Sequence, residues 1–215
     1  MGKFSDHSTY LNNDEIEVPS VTTIIKILNK PFIAKWANSL GWKRQSYDKV
    51  LEESANKGTF VHELIHEYLF KEGKEFDISN PDRLNFLYEN INAFKDFEKE
   101  HILKPIWGEK SFSNDTYGGT IDLYCELDGK NTILDFKTSK RFYSSHFIQL
   151  GAYIQLLENH DILVEQVAIL RIKNGETEIK IIPRKDMEDY INLFNKLLEV
   201  FYLVYDLNKE WGDLL

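Results

Sequence analysis

Two runs of alternating apolar and polar residues, each folded back on itself at an Asx-Gly pair, set the frame of this chain. Thr120 to Leu127 and Lys130 to Ser139 flank Asp128-Gly129, and Val164 to Ile172 and Glu176 to Ile182 flank Asn174-Gly175. Alternation on both sides of such a pair is the signal for a β-hairpin closed by a two-residue type I′ turn. A further β-rich run, Ile106 to Phe112, precedes the first hairpin.

Elsewhere the period changes from two to 3.6. Pro19-Ser20 opens a short helix with Ile24, Ile25 and Leu28 on one stripe. Pro31 starts another, containing Trp36 and Leu40, with Gly41 in the C′ position. Thr59 can cap a helix running to about Phe70 and stopped by Gly73. Asn80-Pro81 reads as N-cap and N1 of a long helix burying Leu84, Leu87, Ile91, Phe94 and Phe97, which Pro105 ends. A helix from about Ser145 to Glu158 follows the first hairpin. After Pro183 a last helix carries Met187, Tyr190, Phe194, Leu197, Phe201 and Val204 on one side. These elements predict an α/β domain, with a mixed sheet flanked by helices behind a helical N-terminal region. The divisions are a loosely held arm over 1–17 and a single domain over 18–215. Within that domain lie a helical region (18–103), a sheet core (104–185) and a C-terminal helix (186–215).

The first hairpin also carries candidate chemistry. If Leu127 pairs with Lys130, then Asp122 stands opposite Asp135, and Lys137 follows on the same face. Ile121, Leu123, Cys125, Leu127, Leu134 and Phe136 fall on the other, apolar face. Facing carboxylates about 5 Å apart repel and weaken a sheet. A hard divalent cation such as Mg²⁺ or Mn²⁺ between them turns that repulsion into binding. An adjacent lysine can position or deprotonate a water, or stabilise developing negative charge. Gln149 and Tyr153, one turn apart on the next helix, share a face. Glu109, at an alternating position in the strand before the hairpin, is a lesser candidate for a metal contact made through another ligand or a water. A rival lies in His62-Glu63-Leu64-Ile65-His66, which has the H-E-x-x-H spacing of zinc proteases, although no G-x-x-H follows to supply a third ligand.

The runs GGTIDLY, ILDFKTSK and QLGAY, with GTFVHELIHEYL and VPSVTTIIKIL before them, resemble the PD-(D/E)XK nuclease superfamily. The similarity is to the branch of RecB-type nuclease domains and related phage and mitochondrial exonucleases, and it spans roughly Val18 to Ile182. It implies a restriction-endonuclease-like core in which Asp122, Asp135, His62 and the Phe136 backbone carbonyl hold Mg²⁺, with Mn²⁺ a possible substitute. It further implies that Lys137 is catalytic and that Gln149, Tyr153 and Thr138 support the site or meet DNA. The implied activity is DNA phosphodiester hydrolysis, as an exonuclease preferring single strands or free ends. A structure-specific endonuclease, or a binding module that keeps the fold without turnover, stands as the alternative. DNA is the implied partner, with other recombination or replication proteins beside it. The implied setting is the cytoplasm of a bacterial or phage-infected cell.

Composition changes this picture in three places. Cys125 is the sole cysteine, so neither a disulfide nor the iron–sulfur cluster of some members of that branch can form. This usage favours a reducing compartment. No apolar run approaches the length of a membrane span or a signal peptide. The net charge of −9 runs against the usual basic character of phosphate binders. The charge is polarised, however. Residues 20–50 carry six basic side chains against one acid, and Lys140 and Arg141 follow Lys137. Lys26, Lys30, Lys35, Lys140 and Arg141 are therefore the candidates for a DNA groove. Trp36, Trp42 and Tyr47 lie in the same N-terminal stretch to stack bases.

Overall fold

The computed structural model describes residues 9–28, 31–76 and 79–211. Its centre is a five-stranded mixed sheet in the order β3-β4-β5-β6-β7: Leu103–Ser113, Gly118–Leu127, Lys130–Lys137, Gln166–Lys173 and Glu176–Pro183. All neighbours are antiparallel except β5 and β6, which run parallel. The connection between those two is helix α5, Ser144–Glu158, as a parallel pair requires a crossover. Both expected tight turns form. Asp128 and Gly129, like Asn174 and Gly175, all have positive φ, the backbone that a type I′ turn demands. Leu127 pairs with Lys130 as the turn dictates.

Helices cover both faces of the sheet. On one side Val61 and Ile65 of α3 (Tyr47–Phe70) and Phe94 and Phe97 of α4 (Pro81–Glu100) pack on Leu123, Leu127, Leu134 and Phe136. On the other, α1 (Val21–Ile25), α5 and α6 (Glu188–Trp211) bury Ile24, Leu150, Ile154 and Phe194 against Ile133 and Ile169. Phe94 and Phe194 are wholly buried, and each such side chain contributes about 1.5–3 kcal/mol of apolar transfer. Gly151 lets α5 approach α6 closely, since a Cβ there would lie 3.0 Å from the Ile191 backbone nitrogen.

Several expectations give way to tertiary context. Ser46, not Thr59, caps α3: its Oγ accepts from the Lys49 amide. Residues 51–57 are exposed throughout, so the first half of that helix shows no apolar period to announce it. Gly41 lies inside α2 (Pro31–Trp42), and the left-handed residue after it is Arg44. The C-cap of α3 is likewise a left-handed Lys71 rather than Gly73. Pro105 sits within β3, which tolerates it as an edge strand with a bulge between Pro105 and Trp107. Ile121 packs with the α5–α6 cluster instead of with Leu123 and Cys125. Its neighbour Asp122 interrupts the ladder, and the alternation does not carry through. Residues 9–17, expected as part of a loose arm, contain a ribbon in which β1 (Tyr10–Leu11) pairs with β2 (Glu17–Val18). Tyr10 lies over Gly118, where a Cβ would run into its ring, and its hydroxyl bonds to Thr120 Oγ1 at 2.9 Å.

Candidate active site

The site forms where β4 and β5 part. Their pairing stops at Leu123–Leu134, and beyond it the Asp122 carboxylate takes up the Phe136 amide through Oδ2 at 2.8 Å. Asp122 is skipped on its other side too: β3 and β4 pair at Gly108–Leu123 and Lys110–Ile121, and the intervening Glu109 has φ of 47°. Left-handed backbone is uncommon for a residue with a Cβ and concentrates at functional sites.

Helix α3 brings His62 to this gap. Its Nε2 donates to the Phe136 carbonyl at 2.9 Å, and its Nδ1 lies 3.4 Å from Asp122 Oδ2. One ligand atom each from His62, Glu109 and Asp122 all fall within 4.8 Å of one another. The two carboxylates are donors of the kind hard cations take, while the imidazole is a donor that also accommodates softer divalent metals. Glu109, expected only as an indirect or water-bridged metal contact, is thus one of the three clustered candidate ligands. His62 and the Phe136 carbonyl, expected as two ligands of one metal, bond to each other.

Asp135 turns toward Lys137. Its carboxylate is almost wholly buried, and Lys137 Nζ lies 2.9 Å from Oδ1 and 2.7 Å from Oδ2. Oδ2 nevertheless accepts no well-directed hydrogen bond, which leaves a buried lone pair available to a cation. Gln149 Oε1 accepts from Lys137 Nζ at 3.2 Å, and Gln149 Nε2 donates to the Tyr153 hydroxyl at 2.8 Å. Tyr153 is buried beneath Gly119, where a Cβ would come within 2.6 Å of its ring. Of the two roles expected for Tyr153, supporting the site or meeting DNA, this burial fits the first: its hydroxyl accepts from Gln149, which in turn accepts from Lys137.

The electrostatics separate the two aspartates. Burial raises Asp135 to about 6, and the charge of Asp122 adds to this against the pull of Lys137. Burial acts the same way on Asp122, but His62, Lys137 and the Phe136 amide overcome it and hold that carboxyl below its usual range. Lys137 is disfavoured by burial, yet Asp135 and Asp122 keep its pKa above the ordinary lysine value. The pair Asp122 and Asp135 is thus split by environment, as in sites built for acid–base or metal chemistry.

Other expected groups stand apart. Thr138 is half-buried against α3, where a Cβ on Gly58 would meet its Oγ1 at 3.4 Å. Lys26, Lys35 and Lys140 are exposed, and Arg141 lies over the Tyr143 ring at 5.1 Å. Lys30 falls outside the described residues. Trp36 packs edge-on against Tyr47, while Trp42 is 84% exposed. His62, Glu63 and His66 line one cleft, but neither Glu63 nor His66 belongs to the cluster of ligand atoms around His62 among the described residues. Glu63 is engaged by Lys74 at 2.8 Å, and His66 Nε2 faces Glu72 at 3.3 Å. Among the described residues no helix is long and apolar enough to cross a membrane.

Comparison with solved structures finds distant likenesses. A protein designated SSO0001 aligns with 17% identity over 90% of this chain and 79% of its own, at a TM-score of 0.44. A phage related exonuclease from Haemophilus somnus 129PT aligns with 15% identity over 70% of this chain and 83% of its own, at 0.37. No family model and no curated protein sequence matches the chain.

Proposed function

We propose that the chain is a Mg²⁺-dependent deoxyribonuclease, an exonuclease that hydrolyses phosphodiester bonds at free, preferably single-stranded ends. One observation carries this reading: the ammonium of Lys137, clamped by Asp135 and Gln149, stands beside the His62–Glu109–Asp122 ligand set. His62, Asp122 and Asp135 hold the cation, with Glu109 and the Phe136 carbonyl beside them, and Mn²⁺ substitutes for Mg²⁺. When bound, the cation supplies Lewis-acid stabilisation of phosphoryl charge. Lys137, raised in pKa and so charged at neutral pH, serves as a hydrogen-bond donor. It orients the attacking water and stabilises charge that grows on the phosphate oxygens. Gln149 accepts one of its protons and fixes its direction, and Tyr153 fixes Gln149.

An endonuclease of the same fold is the second reading, and the exposed Trp42 at the end of α2, a helix whose one charged side chain is Lys35, favours the end-dependent one, because stacking and phosphate pairing suit a threaded single strand. The zinc-protease reading is disfavoured by the separate partners of Glu63 and His66. The test is an assay with end-labelled linear strands and closed circles of the same sequence, with and without Mg²⁺. Linear single strands should be degraded and circles spared. Cleavage of circles at a similar rate would replace the exonuclease with the endonuclease. Absence of Mg²⁺-dependent cleavage beyond that of Asp135→Asn would remove the nuclease reading altogether.

A further inference from the structure

The two flanks of the site differ in charge. Toward His66 the cleft, about 470 Å³, is lined by four glutamates, Glu63, Glu67, Glu72 and Glu109, against one lysine, Lys74, and the imidazole of His62. Behind Thr138 a second cleft of about 340 Å³ opens between α3, α4 and the β6–β7 turn. It is lined by Lys57, Asn90, Thr138, Lys173 and Asn174 and contains no acid. Among the described residues, no carboxylate pairs with Lys57, Lys173 or the nearby Lys140. Arg171, by contrast, is already bonded to Glu178.

These lysines converge through the fold. β5 and β6 run parallel with Lys137 opposite Arg171, so Lys173 projects beyond the end of the strand that carries Lys137. Thr138, on the cleft wall, directly follows Lys137. Lys57 precedes Gly58, the residue at which α3 passes Thr138. Burial first, and then repulsion from Lys140 and Arg171, depresses the Lys173 pKa.

We infer that this second cleft is a phosphate subsite, in which Lys57 and Lys173, with the Thr138 hydroxyl, grip the backbone of a single-stranded nucleic acid whose next phosphodiester lies at the site. The inference rests on the nuclease reading for what happens to the strand, but its binding claim stands alone. A polyanion neutralises the unpaired lysines, whereas the acidic flank repels it. The strand therefore enters from the Thr138 side only.

Fluorescence anisotropy with a labelled single-stranded oligonucleotide in Ca²⁺ tests the claim without relying on turnover. The double variant Lys57→Gln/Lys173→Gln should bind at least tenfold more weakly. Its plot of log affinity against log salt should be shallower by about 1.4, since each phosphate contact to a single strand contributes about 0.7. Its melting temperature and Mg²⁺-induced melting shift should match the wild type. A smaller affinity loss, an unchanged slope or no binding by the wild type overturns the subsite. Wild type that binds without cleaving would count against the nuclease reading alone. Wild type that cleaves, with a variant that binds as well, would count against the cleft alone.

Discussion

His62 of α3 donates to the Phe136 carbonyl of β5 at 2.9 Å, across 74 residues of sequence. The bond ties the helix to the strand that carries Asp135 and Lys137. It also sets the imidazole against Asp122, so one side chain serves both the fold and the candidate ligand cluster.

If these groups bind a cation in the native state alone, Mg²⁺ must raise the melting temperature. Mass action gives about 2.7 kcal/mol at a hundredfold excess over Kd. Asp122→Asn and His62→Ala should each blunt the shift seen by differential scanning fluorimetry. Full retention of the shift in both variants would displace the metal from this place.

Lys137→Ala should lower turnover by roughly 10²–10³-fold, the scale for a preorganised donor to developing charge. Oligonucleotide affinity in Ca²⁺ should fall by far less. Gln149→Ala should cost less than the lysine variant. Tyr153→Phe, which keeps the ring over Gly119 and loses the hydroxyl that Gln149 reaches, should cost less again. Parallel loss of affinity and turnover in Lys137→Ala would make it a phosphate anchor instead.

Gly119→Ala should destabilise the fold by about 1–3 kcal/mol, because the new methyl would lie 2.6 Å from Tyr153 Cε1. Activity should drop as well, since a displaced Tyr153 no longer holds Gln149. Urea denaturation, with the Tyr153→Leu background as control, reads the first effect. In that background the cost of Gly119→Ala should shrink.

Cys125 should resist thiol reagents in the native protein. It is fully buried, and burial pushes its thiol up to about 12. A pKa raised on folding adds stability that is whole below the ordinary thiol value near 9 and is lost as pH climbs toward 12. Labelling by a disulfide reagent at pH 8 should therefore proceed at the unfolding rate. Prompt reaction in native buffer would show that the sheet opens locally at Cys125.

Much of this was legible because it rests on short-range rules. Asp-Gly and Asn-Gly fix two hairpins, their register places Asp122 near Asp135, and the five-stranded mixed sheet follows with its helices. What escaped depends on long-range geometry. Nothing in the local sequence marks Glu109 as left-handed, and that conformation is part of why it meets His62 and Asp122. The exposed first half of α3 carries no apolar period, so the sequence pattern marks only the part after Thr59 as helix and gives no sign of Lys57. Lys173 reads as the end of a hairpin strand, and only the parallel β5–β6 pairing carries it to the site. The spacing of Tyr153 puts it on one face with Gln149 and says nothing of Gly119, the distant residue that leaves room for its ring to be buried.

Helix α3 runs unbroken through Lys57 and His62, and this makes it a ruler. With a rise of 1.5 Å per residue, the two side chains are fixed about 7.5 Å apart along its axis. One residue inserted between them would swing Lys57 by about 100° around the helix and lengthen the ruler by one step. The grip on the strand would then fall out of phase with the cutting position while each half stayed intact. The same insertion among residues 51–55, whose side chains are exposed, leaves that spacing untouched. Length variation in this helix is therefore open on one side of Lys57 and closed on the other.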